Sequence, residues 1–598
     1  MGKRKIAVVA LALAITGNCS IHGALADAQY TAIDSSKQTI KQGTIQDENE
    51  FSAFDGLQYS IVGDFGTNQG IDSYAYIIGN GTVASITGNI NASEGVGTAI
   101  EVEEQSSVII QGNILGDTRN FDSMLEIHGD IDHRFSDGMP AVFAFGEVGN
   151  GIGYKTQTTV YGNIKSAGRG IKLNDGGHAV IVGNIDAGLD GIQVGDLDDD
   201  ITEGASCEVI GDIHADRDGV IVYQSQNPRV SSEPWIDGIN SVIVKGNISA
   251  GTDGIIAQGQ IFVEGNVNGK QTAIRLENEA NVIIRGNVTS DMIEIDYTDT
   301  EYYDAYGEWH TYYGDGVVSF VDDPFEPSAN NARIQVIGDV HSTGACFFME
   351  CGEAYVCGNV KSDYQTPIII RSVLPSTIEI DGSVLGNTRA GAISVVPSKD
   401  NTLIVKGSVI ARGNQSAIEI YDWNTDTSGY SLAQMPRMIV KDLIVENGEY
   451  VSAVTHDENG EEIASMELAE LATAAIQYII DVKESEYGKI DVSGYTKQDG
   501  LMLAQEGKQL TVHVTPDPGY MIANVSAGSK ADVLRNDDDT FTVTVKRGGG
   551  LTISAEICQI PSLPQTGDQS HIELSIALFA VSVFMLMRII GIAKQGKA

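Results

Sequence analysis

The chain has 598 residues, with 81 acidic against 37 basic side chains and a formal net charge of −44. A surface this acidic repels nucleic acid and anionic lipid, and it disfavours a polyanionic substrate unless divalent cations bridge the two. An aromatic content of 7% and 68 glycines argue against a mainly helical protein and for one rich in turns.

The N-terminus reads as a secretory signal over residues 1–26. Lys3, Arg4 and Lys5 precede an apolar stretch at 6–15, and Ala24-Leu25-Ala26 supplies small residues at the cleavage site. The apolar run is too short for a permanent membrane span. Asn18 before Cys19 does not suit lipoprotein processing. Cleavage near Asp27 and processing at 566/567 would remove six basic and two acidic side chains, leaving 31 against 79, or −48. Residues 27–59 are read as an N-terminal cap. Five cysteines then remain: Cys207, Cys346, Cys351, Cys357 and Cys558. An odd number cannot pair fully within one chain. The cluster 346/351/357 matches no common zinc spacing, and three readings stay open for it: small hydrophobes in a core, a metal site, or an internal bridge.

From 60 to 459 one signal recurs: Gly, then Asn, Asp or Ser, then Ile or Val. It marks Gly88, Gly112, Gly129, Gly162, Gly183, Gly211, Gly246, Gly265, Gly286, Gly338, Gly358, Gly382 and Gly407. The gaps run from 17 to 52 residues, most of them near 22. Two residues before the marker sits a β-branched aliphatic, as at Ile86, Val160, Val244, Val263 and Val405. Four before it sits another small or apolar residue, as at Val108, Ala179 and Val282. Mixed or charged residues lie between, Lys245 and Glu264 among them, so the alternation has period two and one strand face is buried. A second short strand follows each marker, as in Gly191-Ile192-Gln193-Val194. Short strands with tight turns in a unit of about 22 residues predict one rung of a parallel β-helix, whose inward face is buried only when rungs stack. Gly-Asn is expected at a corner because both residues accept left-handed backbone angles, and the stacked Asn amides are expected to bond along the ladder. The pattern resembles the right-handed β-helix superfamily that includes pectate lyases; the resemblance is architectural and implies an all-β solenoid. A sandwich of short strands is the alternative.

Three insertions interrupt the rungs, at 224–240, 291–331 and 421–437. They hold all three tryptophans: Trp235, Trp309 and Trp423, with Tyr303 and Tyr312 beside Trp309. Aromatics flanked by acids and amides suit the apolar faces and hydroxyl edges of sugars, or else serve as local cores of long loops. Asp190, Asp218 and Asp253 each lie seven residues after a marker Gly, so stacking would place them about 4.8 Å apart. Calcium between such carboxylates is one reading; a plain Asp-Gly turn is the other.

Residues 460–558 change character. A helix is expected over 467–475, then alternating strands around 509–514, 540–545 and 551–555, with a Pro-Gly-Tyr turn at 518–520. This resembles the small bacterial surface repeat related to internalin B-type repeats, which implies a spacer. Residues 559–598 close with Leu563-Pro564-Gln565-Thr566-Gly567, an apolar stretch at 574–593 interrupted by Arg588, and the basic Lys594 and Lys597. The series resembles the LPxTG sorting signal. It implies a transmembrane sorting helix at 574–593, attack of a sortase cysteine on the Thr566 carbonyl, release of Gly567, and covalent transfer to peptidoglycan on a Gram-positive surface. An apolar helix followed by cations halts export, which leaves the motif outside the membrane.

Two functions follow as expectations. One is a non-catalytic adhesin or glycan-binding surface protein, with a glycan or host-surface ligand as partner. The other is a wall-anchored polysaccharide lyase or glycoside hydrolase acting in the β-helix groove. The sequence has no Arg-x-Pro-x-x-Arg, and its histidines have no triad spacing.

Overall fold

A computed structural model describes residues 38–42 and 51–561, except 67–72, 93–96, 135–138, 147–155, 196–203, 224–238, 277–279, 291–300, 304–308, 312–316, 320–331, 372–373, 388–390, 423–429, 458–460 and 538. The signal segment 1–26, the sorting motif and the apolar stretch 574–593 lie outside the described residues. Among the described residues no helix is long and apolar enough to cross a membrane.

The repeat folds as a parallel solenoid. One turn shows the plan: strand Ser241–Val244, a corner at Gly246-Asn247, strand Ile248–Ala250, a second corner, then strand Ile255–Ala257. Each strand pairs in parallel with its equivalent one turn later, in fixed register: Val244 with Val263, Ile248 with Val267, Ile255 with Ile274. Alternation does the rest. Ile86, Ile110, Ile127, Val160, Ile181, Val209, Val244, Val263, Ile284, Val336, Val356, Ile380 and Val405 form one fully buried column down the axis. A branched aliphatic fits there because its methyls fill the 4.8 Å step between rungs without voids.

The corner differs from the expected one in its physics. None of the marker Asn or Asp residues has a positive φ, and of the marker glycines only Gly88 and Gly211 do, so a left-handed step is not what the corner generally requires. Glycine is required instead by close approach. A Cβ on Gly112, Gly162, Gly183, Gly265 or Gly286 would lie 2.0–2.2 Å from the carbonyl oxygen of the marker glycine one turn earlier. The residue after it does bond along the axis, chiefly through its backbone N–H to the side-chain oxygen one turn earlier, and at Asn266 the amide joins in, its Nδ2 donating to Asn247 Oδ1 at 3.2 Å. Asn113 N–H donates to Asn89 Oδ1 at 2.9 Å, Asp130 N–H to Asn113 Oδ1 at 2.9 Å, and Asn163 N–H to Asp130 Oδ1 at 2.7 Å. The series runs unbroken in thirteen steps from Asp64 to Ser408. Asn, Asp and Ser qualify because each carries an acceptor oxygen one or two bonds beyond Cβ, which satisfies a corner N–H that has no strand partner.

The C-terminal unit is fused to the solenoid. Helix Met466–Ala475, capped by Ser465, buries Leu468 and Ala472 against the last turn. Strand Ile476–Val482 then pairs in parallel with Arg437–Val445, Met438 opposite Ile476, so the solenoid sheet runs on into the second unit. The same strand pairs with Leu501–Ala504 and with Leu551–Gln559. A second sheet of Gly488–Ser493, Gln509–Pro516, Thr540–Val545 and Ala531–Arg535 closes the unit. Gly548, Gly549 and Gly550, all with positive φ, seat a loop on Tyr478, whose hydroxyl accepts from Gly548 N–H at 3.1 Å. A Cβ on Gly549 would strike the Tyr478 ring at 2.3 Å. Lys530 donates to Leu443 O and lies 4.9 Å over the Tyr450 ring. The parallel edge and open core of the last rung are covered by this unit, which solves the end-capping problem of a solenoid.

Candidate functional site

The corner between the second and third strands carries the acidic column. Asp190, Asp218 and Asp253 sit on consecutive rungs, each followed by a glycine pressed against the next rung: a Cβ on Gly191 would lie 2.5 Å from Gly219 O. Burial alone would make three stacked carboxylates costly. Guanidinium groups offset this. Asp190, fully buried, accepts from Arg169 Nε at 3.0 Å and from Arg217 Nε at 2.6 Å, and also meets the Arg217 terminal nitrogen. Asp253 meets Arg275 at 3.1 Å. Among the described residues Asp218 receives the Asp253 N–H at 3.2 Å and a 3.5 Å contact from Arg217 Nε. Burial, then repulsion by Asp253, pushes the Asp218 carboxyl up to about 6. Burial also raises Asp253, with Arg275 pulling it back.

The cations at this column are thus arginines. Among the described residues no group of three His, Cys, Asp or Glu side chains is placed to hold a metal ion, and the groups found beside Asp190, Asp218 and Asp253 are guanidinium groups. The partner arginines were missed in the sequence, although Arg169 is itself seven residues after Gly162, in the same column, and Arg217 directly precedes Asp218.

The outward face of the first strand stack carries a second feature. The residue just before each marker glycine points outward. On four consecutive rungs this row reads His128, Tyr161, Val182 and Ile210, in register. The last three are each more than a third exposed. His128 stacks on Tyr161 with centroids 4.8 Å apart and meets Glu126 at 2.6 Å. The exposed amides of Asn163 and Asn184 run alongside. On the next three rungs the row reads Lys245, Glu264 and Arg285: Lys245 pairs with Glu208 at 2.6 Å and Arg285 with Glu264 at 3.4 Å, before exposed Ile337 follows. This row was legible as the position before each marker but was not singled out.

Of the sugar-contact candidates, Trp235, Tyr312 and Trp423 lie outside the described residues. Tyr303 and Trp309 face one another across an antiparallel pair, Glu301–Tyr303 with Trp309–Thr311. Among the described residues no cysteine is in a disulfide: Cys207, Cys346 and Cys351 are buried, Cys357 and Cys558 exposed. Burial raises the Cys207 thiol out of the reactive range. Neither a known family model, a curated protein nor a solved structure matches the chain.

Proposed function

We propose that the chain is an exported, wall-attached surface protein that presents a right-handed β-helix for binding rather than for turnover, with a glycan or host-surface molecule as ligand. The attachment reading rests on Leu563-Pro564-Gln565-Thr566-Gly567 followed by the apolar stretch and Lys594 and Lys597. Right-handedness follows the strong bias of parallel strand crossovers. The observation that carries the binding reading is the outward face of the solenoid. Ion pairs such as Lys245–Glu208 occupy part of that face, while its exposed row of Tyr161, Val182 and Ile210 beside amides offers apolar and hydrogen-bonding contact.

Attachment is tested by fractionating cells that express the wild-type chain or Thr566→Ala. Wild-type protein is expected to need muralytic digestion for release, and the variant to leave with detergent or medium; equal detergent release of both overturns the sortase reading. Binding is tested by screening residues 27–560 on a glycan array, with reducing-end assays on every hit. Retention without new reducing ends is expected, and Trp309→Ala is expected to weaken retention at least tenfold with an unchanged melting temperature. Steady release of reducing ends would favour a hydrolase or lyase in the groove.

A further inference from the structure

The acidic column is unevenly neutralised. Three carboxylates face three guanidinium groups, but Asp190 takes two of them, Arg169 and Arg217. Asp253 holds Arg275. Asp218 is left between two carboxylates with one distant cation and one backbone donor. Among the described residues its surroundings are as follows. Its own turn contributes His214 and Asp216, both mostly exposed and 3.9 Å apart, and Arg217. The rung before contributes Asp190, with Arg169 behind it. The rung after contributes Asp253, with Thr272 and Arg275 behind it. Tyr223 acts on Arg217 from the same rung. No group in this set brings a second cation to Asp218. The carboxyl is also mostly buried, so water cannot screen it.

We propose that Asp218 is the proton-binding element of a pH-responsive clamp at this corner: one proton taken up there removes the repulsion from Asp253 and Asp190 and holds these rungs together more firmly in mildly acid than in neutral or alkaline surroundings. A protonated Asp218 keeps its bond from the Asp253 N–H through Oδ1 and leaves Arg217 to Asp190. The direction agrees with the raised carboxyl. Its folded value of about 6 exceeds the ordinary 3.8, so the stabilisation is complete below the unfolded value and is lost as pH rises through about 6. Two units correspond to at most about a hundredfold in the local unfolding equilibrium. The inference does not depend on the proposed ligand or on wall attachment.

The test uses the full chain and Asp218→Asn. The neutral amide keeps the acceptor and removes the charge. Cys207 reports on the same rung, because it is buried one strand before Asp218 in the same turn. Urea-dependent labelling of Cys207 by N-ethylmaleimide, read peptide by peptide, is compared between the two proteins at pH 7.5 and at pH 5. The variant is expected to protect Cys207 to higher urea than wild type at pH 7.5, and by a clearly smaller margin at pH 5, where folded wild type has taken up the proton. Other raised acids, such as Asp117 and Glu419, act equally in both proteins and cancel in the comparison. A difference independent of pH, a less protected variant at pH 7.5, or failure of the variant to fold would each overturn the proposal. Asp216→Asn, at an exposed neighbour, is expected to change nothing at either pH.

Discussion

Val244→Asp is expected to be among the most damaging single changes in the solenoid. Val244 is fully buried, stacked between Val209 and Val263 in the axial column. A carboxylate there has no cation and no donor, and a buried unpaired charge costs about 3–5 kcal/mol, or forces the group to take up a proton. The adjacent Lys245 points outward and provides the control, but the choice of substituent matters. Its amine holds Glu208, whose side chain is 9% exposed, so an aspartate at 245 would face a mostly buried carboxylate and would not be neutral. Lys245→Gln keeps the stem and a donor and is expected to cost about 1 kcal/mol. Melting temperatures of the two variants check the register; equal losses would place residues 244 and 245 on equivalent faces and contradict the stacking.

Gly265→Ala is the second large effect, and its cause is steric. The added methyl would lie 2.2 Å from Gly246 O and 2.5 Å from the carbon of that carbonyl, both backbone atoms that no rotamer can move. Relief requires the two rungs to separate, which stretches the Asn266 N–H to Asn247 Oδ1 bond, now 2.9 Å, and its neighbours along the ladder. Overpacking of this kind is expected to cost about 3 kcal/mol or more. Gly81→Ala tests the opposite condition. Gly81 has φ +70° with nothing within 4 Å of its virtual Cβ, so only backbone strain opposes the methyl, at about 1 kcal/mol. If chemical denaturation ranks Gly81→Ala as the worse of the pair, close approach is not why the corner is glycine.

These two sites show how far the sequence could be read. The inward register was legible, because Val244, Val263 and Ile284 recur at one offset from a marker and charged residues alternate with them. The corner glycine was legible as a position, but its reason was not. Single-chain propensities suggest a left-handed turn, whereas the requirement arises only when Gly265 meets Gly246 across rungs. The acidic column was legible as an alignment of Asp190, Asp218 and Asp253. Its neutralisation needs arginines drawn from three different offsets, and no single spacing announces that. The second unit's strands were legible by alternation. Its fusion to the solenoid was not, because the pairing of Met438 with Ile476 spans a helix and a break in the repeat.

The fused junction also sets how the protein would carry load. Leu551–Gln559 is the last described strand before Thr566, so tension from an attachment there would enter along that strand's own axis. It is bonded on one side to Ile476–Val482 and on the other to Tyr520–Ser526. Ile476–Val482 passes the pull to Arg437–Val445 through another lateral ladder. Hydrogen bonds lying across the direction of pull are sheared together rather than opened one by one, so many must fail at once before the strand moves. Slow forced unfolding, not equilibrium stability, then governs how long the connection lasts. A flexible hinge between the two units would let the solenoid swing free of the C-terminal unit; the sheet they share would make them stretch as a single body.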